Sequence, residues 1–84
     1  MVTFLHLYST SHCHLCEKAE ALLIKLNLDN DIKWELIEIT EDADLQERYE
    51  IKIPVLKRLD TSAEICWPFN EYDIKYLLSN IKAK

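Results

Sequence analysis

Cys13 and Cys16 stand three positions apart in the run Tyr8-Ser9-Thr10-Ser11-His12-Cys13-His14-Leu15-Cys16. At the start of a helix this spacing lets two thiols meet closely enough to form a disulfide. When they are reduced, the first thiol lies beside backbone N–H groups that the helix leaves unpaired, and the positive end of the helix dipole favours its thiolate. Thiolate is the form that attacks disulfides, so the chemistry is thiol–disulfide exchange, with Cys13 attacking and Cys16, deeper in the helix, resolving. His14 sits between the thiols. As an imidazolium it would favour the Cys13 thiolate, and as a plain solvent-facing residue it would do little. The same thiols could instead supply half of a zinc site, or hold an iron–sulfur cluster with a second chain. A metal site usually needs a second pair of ligands at matching spacing, and only Cys66, His6, His12 and His14 remain. Redox chemistry is therefore the leading reading, with no cofactor expected.

The elements that must position these thiols follow from periodicity. Residues 3–8 read as a first strand, apolar enough to be buried on both faces. Leu15, Ala19, Leu22, Leu23 and Leu26 recur at helical spacing, with charged residues between them, and that helix should end near Asn27. Residues 33–39 form a second strand whose alternation changes phase at Leu36-Ile37, so its facing is open. Thr40 is the expected N-cap of a short helix reaching Tyr49, with Glu41, Asp42 and Asp44 in its first turn. Residues 53–59 and 63–67 read as two strands joined by the turn Asp60-Thr61-Ser62. Asn70 then caps the last helix, Asp73 follows three residues on, and Phe69 is placed to staple against Ile74. The apolar face of that helix is Ile74, Leu77, Leu78 and Ile81. The order β-α-β-α-β-β-α builds a four-stranded mixed sheet with helices on both faces, as one α/β domain over residues 1–84.

Composition narrows the function classes. The net charge of −5 argues against a nucleic-acid or anionic-membrane partner, since both need a basic face. Acids crowd residues 29–50, as a solvated face or as a docking surface for a basic partner, and the alternative to an enzyme is then a catalytically idle module that binds its partner through this face. Three cysteines do not make a secreted disulfide framework, and no basic leader or membrane-length apolar run appears, so a cytoplasmic monomer is expected. Cys66, on the expected last strand, reads as a small buried hydrophobe, and His6 as a core or sheet-face histidine with a satisfied hydrogen bond. With no glycine in the chain, turns needing positive φ must fall to residues such as Asn27, Asn30 or Asp60.

The segment from Leu7 through Cys16, continued by Glu17-Lys18-Ala19-Glu20-Ala21-Leu22-Leu23, resembles the active-site region of small glutaredoxin-like proteins of the thioredoxin superfamily. Tyr49-Glu50-Ile51-Lys52-Ile53-Pro54-Val55-Leu56 resembles the family's strand that opens at a cis-proline, and Trp67-Pro68-Phe69-Asn70 its approach to the last helix. The resemblance implies the minimal thioredoxin fold and a dithiol oxidoreductase acting on protein or low-molecular-weight disulfides. It also implies a cis bond before Pro54, which turns the Ile53 N–H and C=O toward substrate beside the thiols. Glutathione-using members carry a Gly-Gly-x-Asp turn before the last helix, a lysine where this chain has Thr10, and a tyrosine where it has Leu15. Glutathione is therefore expected to bind weakly.

Overall fold

The computed structural model describes residues 2–11, 13–27 and 31–79. Its elements are β1 (Thr3–Ser9), α1 (His14–Leu26), β2 (Ile32–Glu38), a 3-10 turn (Ile39–Glu41), α2 (Ala43–Tyr49), β3 (Val55–Arg58), β4 (Glu64–Cys66) and α3 (Glu71–Ser79). The sheet order is β2-β1-β3-β4, with β1 and β2 parallel and the other two pairs antiparallel. This is the α/β order anticipated from periodicity, in the minimal thioredoxin-like arrangement.

Side-chain alternation along β1 divides the core into two layers. Leu5 and Leu7 join Ile32 and Leu56 on one face, where Ala19, Leu23 and Leu26 of α1 and Ile74 and Leu77 of α3 cover them. Tyr8 and Val55 lie on the other face with Ile39 and with Tyr49 of α2. A fully buried Leu or Ile contributes roughly 1.5–3 kcal/mol, so the first layer, with most of these side chains, carries most of the apolar stabilisation. The facing of β2 is now fixed. Ile32 and Trp34 go to the α1 side, where the Trp34 indole N–H donates to Glu20 (3.1 Å), and Ile37 goes to the α2 side.

Several local expectations change. β1 is not buried on both faces: Phe4 is 55% exposed and His6 half-buried, because the seven-residue α2 reaches only the Tyr8 end of its layer. Thr40 does not cap α2. Its N–H and hydroxyl donate to the Glu38 carboxylate, and Asp42 caps instead, accepting from the N–H groups of Asp44 and Leu45. Among the described residues the positive φ falls on Ser62 (64°), in the β3–β4 turn. Asn27 is the helical C-cap of α1, Asp60 is held by Arg58, and Asn30 lies outside the described residues. The start of α3 is a reciprocal box, in which the Asn70 N–H donates to Asp73 and the Asp73 N–H to Asn70, both at 3.0 Å. Phe69 and Ile74 are buried together beneath it, whereas Ile81 lies outside the described residues.

Candidate active site

One end of the sheet gathers the candidate residues, for a topological reason. β2 runs parallel to β1 and ends where β1 ends; β3 is antiparallel and starts there; β4 returns to the same end. Ser9 pairs with Glu38, Tyr8 with Val55, and Val55 with Cys66. The chain leaving β1 toward Cys13, the Ile53-Pro54 entry to β3 and the Cys66-Trp67 exit from β4 thus meet at one rim.

Cys13 is the N-cap of α1, and its Sγ accepts the Cys16 N–H at 3.2 Å. The two cysteines are joined in a disulfide with Cα atoms 5.2 Å apart, within the span that such a bond bridges. Their environments differ. Cys13 is half-exposed, while Cys16 is buried in the first turn, only 6% accessible. A thirteen-residue helix therefore points its unpaired N–H groups at the more accessible sulfur, which is how a short peptide can favour a thiolate on one cysteine of a pair. His14 is exposed beside it, with Nδ1 4.0 Å from the Glu17 carboxylate. His12 lies outside the described residues. Cys66 is not the buried hydrophobe expected: it is exposed and unpaired, because β4 is a three-residue edge strand that α2 does not cover. His6, on the half-covered face of β1, has Nε2 3.9 Å from Glu35.

The Ile53–Pro54 peptide bond is cis, as is Trp67–Pro68. Pro54 is fully buried, and its carbonyl accepts the Trp67 N–H at 3.0 Å, tying the start of β3 to the end of β4. The Ile53 N–H donates to the Tyr49 carbonyl (3.0 Å), which also accepts from Lys52 (2.8 Å). Of the two Ile53 groups expected to face a substrate, the N–H is thus already engaged in closing α2, and the carbonyl remains.

Several polar groups near this end left no signature in spacing. Glu38 closes β2 and accepts the Thr40 hydroxyl at 2.7 Å and the Thr40 N–H at 3.3 Å, which hold its carboxyl below the ordinary carboxylate value of 4.5. A carboxylate at the end of a strand reads in sequence as one more acid in the crowded 29–50 stretch. Its neighbours Glu35, Glu41, Asp42, Asp44, Glu47 and Glu50 are indeed exposed, and Asp29 lies outside the described residues. Beneath the rim, Tyr8 stacks on Tyr49 with ring centroids 4.6 Å apart, and the Tyr49 hydroxyl donates to Glu64 (2.9 Å). Burial, and then the Glu64 carboxylate, push both phenols above 10.0, so both stay neutral at physiological pH. A shallow cleft lined by Phe4, His6, Trp34 and Leu59 lies at the opposite end of β1, away from the cysteines.

No helix among the described residues is long and apolar enough to cross a membrane. A family model described as a glutaredoxin-like domain matches residues 4–79. Among solved structures, the chain is similar to the X-ray structure of the target protein XcR50 from X. campestris, at 30% identity and a TM-score of 0.76, over 88% of this chain and 93% of that one. It is also similar to the solution NMR structure of protein Ne2328 from Nitrosomonas europaea, at 29% identity and a TM-score of 0.79, over 90% of this chain and 89% of that one. No curated protein matches.

Proposed function

The chain belongs to the glutaredoxin-like domain family, and from that premise we propose that it is a thiol–disulfide oxidoreductase working through Cys13 and Cys16. The observation that carries the reading is the asymmetric pair at the start of α1, with Cys13 accessible and accepting the Cys16 N–H while Cys16 is buried. The Cys13 thiolate attacks one sulfur of a substrate disulfide, forming a mixed disulfide and expelling the other sulfur as a thiolate that takes up a proton. Cys16 then loses its proton and attacks the Cys13 sulfur. The Cys13–Cys16 disulfide forms and the second substrate thiol leaves. The substrate has gained two electrons and two protons, and an external thiol reductant restores the dithiol.

In this reading the Ile53 carbonyl meets an extended substrate by its backbone, and Pro54 forms an apolar wall at the same rim. His14, when protonated, adds positive charge beside Cys13, partly offset by Glu17. The substrates are protein or low-molecular-weight disulfides, met by a monomer in the reducing cytoplasm. Glutathione is a weak ligand: Thr10 and Leu15 lack the expected contacts, and Asn70 and Asp73 are committed to each other at the cap of α3. Among the described residues no group of three or more His, Cys, Asp or Glu side chains is placed to hold an ion.

The test is substitution. Cys13→Ser should abolish disulfide reduction, and Cys16→Ser should trap mixed disulfides with protein substrates. Alkylation of the reduced protein near neutral pH should label Cys13 well before Cys16. Preferential labelling of Cys16, or full turnover by Cys13→Ser, would reverse the assignment. Amide shifts on titration should show no saturation at millimolar glutathione; saturation at micromolar concentration would restore an ordinary glutathione-dependent role.

A further inference from the structure

α1 and α3 cover the same face of the sheet, and between their outer flanks lies a cleft of about 370 Å³, lined by Leu22 of α1 and by Asn70, Glu71, Tyr72 and Lys75 at the start of α3. Its walls are tied together. The Lys25 ammonium lies 2.8 Å from the Glu71 carboxylate, one helix gripping the other, and the Asn70–Asp73 box fixes the first turn of α3 in the same place. The floor is the half-buried Leu22, and α3 adds two tyrosines that the fold leaves in water, Tyr72 at 79% and Tyr76 at 70% exposed. Four residues apart, they share one flank of the helix. Both stay outside the core that Ile74 and Leu77 of the same helix join.

Charge around the cleft runs against that of the chain. The net charge is −5, and the acids Glu41, Asp42, Asp44, Glu47 and Glu50 lie in and around α2, which packs on the other face of the sheet. Lys18 and Lys25 stand four residues before and three after Leu22, on its own flank of α1, and Lys75 stands three after Tyr72 on α3. Lys25 and Glu71 offset each other, and Asp73 is turned into the α3 cap, so Lys18 and Lys75 are the charges that a partner meets. Such charges draw in an acidic partner and set its register. A small molecule fits poorly, since ligand sites bury roughly 70–90% of their occupant and a cleft with so exposed a wall has no roof. A side chain of a larger partner needs none, because the rest of the partner excludes water from it, and tyrosines offer it a large, stiff surface with a polar tip. We propose that the α1–α3 groove docks an acidic segment of another protein, which seats one apolar side chain over Leu22 beside Tyr72 and sets its carboxylates against Lys18 and Lys75. The surface uses neither thiol of the Cys13–Cys16 pair and does not rest on the oxidoreductase reading.

The probe is a displayed library of random peptides of about 15 residues, roughly four turns if helical, selected on the full chain. Peptides recovered should carry Asp or Glu on either side of an apolar or aromatic residue. Their affinities are then measured for the parent, Tyr72→Ser and Lys75→Glu, each shown by circular dichroism to remain folded, as exposed positions permit. Tyr72→Ser should weaken binding by about fivefold or more, the loss that separates an anchoring side chain from a bystander. Lys75→Glu should weaken it by about threefold at low salt and by less at about 0.5 M salt, where exposed charges are screened. Amide shifts in the peptide complex should centre on Leu22 and Tyr72. A library that returns no binder, binders indifferent to both substitutions, or binders that depend on them but are basic or uncharged would each overturn the proposal. Sedimentation equilibrium over a concentration series tests the remaining occupant: the parent should stay monomeric, and self-association abolished by Tyr72→Ser would assign the groove to a second copy of the chain and overturn the proposal as well. None of these readouts needs a thiol, so failure of disulfide exchange would leave their outcome intact.

Discussion

Arg58 supports the strand that opens at Pro54, and its replacement gives the sharpest stability prediction. Its side chain is 4% accessible, yet it carries a charge and makes four hydrogen bonds. Nη1 donates to the carbonyls of Leu77 (2.9 Å) and Leu78 (2.6 Å), while Nε and Nη2 grip Asp60 at 2.7 and 3.1 Å. The two carbonyls belong to the last described turn of α3, where a cation is favoured by the dipole. Arg58→Met keeps most of the apolar stem and deletes the donors. A hydrogen bond from a charged group contributes about 1.5–3 kcal/mol; the Leu77 bond is buried and counts in full, the Leu78 bond is part-buried and counts in part, and the Asp60 arm, half in water, is left out. The expected loss is then about 2–4 kcal/mol. At roughly 0.05–0.15 kcal/mol per residue a domain of this size is stable by only about 4–12 kcal/mol. Urea unfolding should show a midpoint lower by roughly 1–3 M at unchanged slope, and the melting temperature should fall by roughly 10–25 °C. Arg58→Lys, with one point donor in place of the fork, should recover about half of the loss. An Arg58→Met variant within about 0.5 kcal/mol of the parent would refute the reasoning, because it would mean that the cost of burying the guanidinium cancels its bonds.

Ser62→Gly should stabilise the protein by about 0.5–1 kcal/mol, since Ser62 holds φ at 64° where glycine carries no steric penalty; a destabilised variant would show that the φ is incidental. Below pH 5 stability should fall. Glu38, Glu71 and Asp60 are held below their ordinary values of 4.5, 4.5 and 3.8 by Thr40, Lys25 and Arg58 respectively, so each stabilises the fold above the unfolded value and loses that contribution as pH drops through the folded one. At the alkaline end the sign reverses: Tyr8 and Tyr49 are raised above 10.0 by burial, so their contribution is complete below that pH and vanishes as pH rises through the folded values. Urea midpoints against pH should therefore form a plateau that falls at both ends, and a midpoint that climbs as pH drops from about 5 to 3 would contradict the assignment.

The fold was legible wherever one period dominated. The α1 stripe ends at Asn27 as its spacing indicates, and Asn70 with Asp73 forms the box that their separation announces. The pairing of Cys13 with Cys16 was legible for a different reason, in that it depends on a local spacing rather than on contacts distant in sequence. Two of the misreadings share a cause. Phe4 is exposed and Cys66 uncovered because α2 is short, and the coverage of a sheet face is a tertiary fact that no strand's own sequence encodes. Thr40 was displaced as a cap because Glu38, two residues earlier, competes for its donors. Arg58 offered no signal at all, since its partners on α3 lie nineteen and twenty residues away.

The topology separates the residues that govern reactivity from those that govern stability. A parallel β1–β2 pair ends both strands at one rim, and the two antiparallel pairings bring the start of β3 and the end of β4 to the same place. Cys13, Glu38, Pro54 and Trp67 therefore converge from four different segments without any long loop. At the opposite end lie the Leu59–Ser62 turn and the exposed Phe4; Arg58, beside that turn, is tied to the last turn of α3. Substitutions there act on the whole fold and should leave the Cys13 alkylation profile unchanged in the protein that remains folded. Substitutions at the rim that leave the core intact should do the reverse, altering thiol reactivity with little change in the urea midpoint. A sheet that segregates the two in this way lets a small fold, with little stability to spare, carry the polar groups of a redox site at one edge while its apolar layers lie beneath.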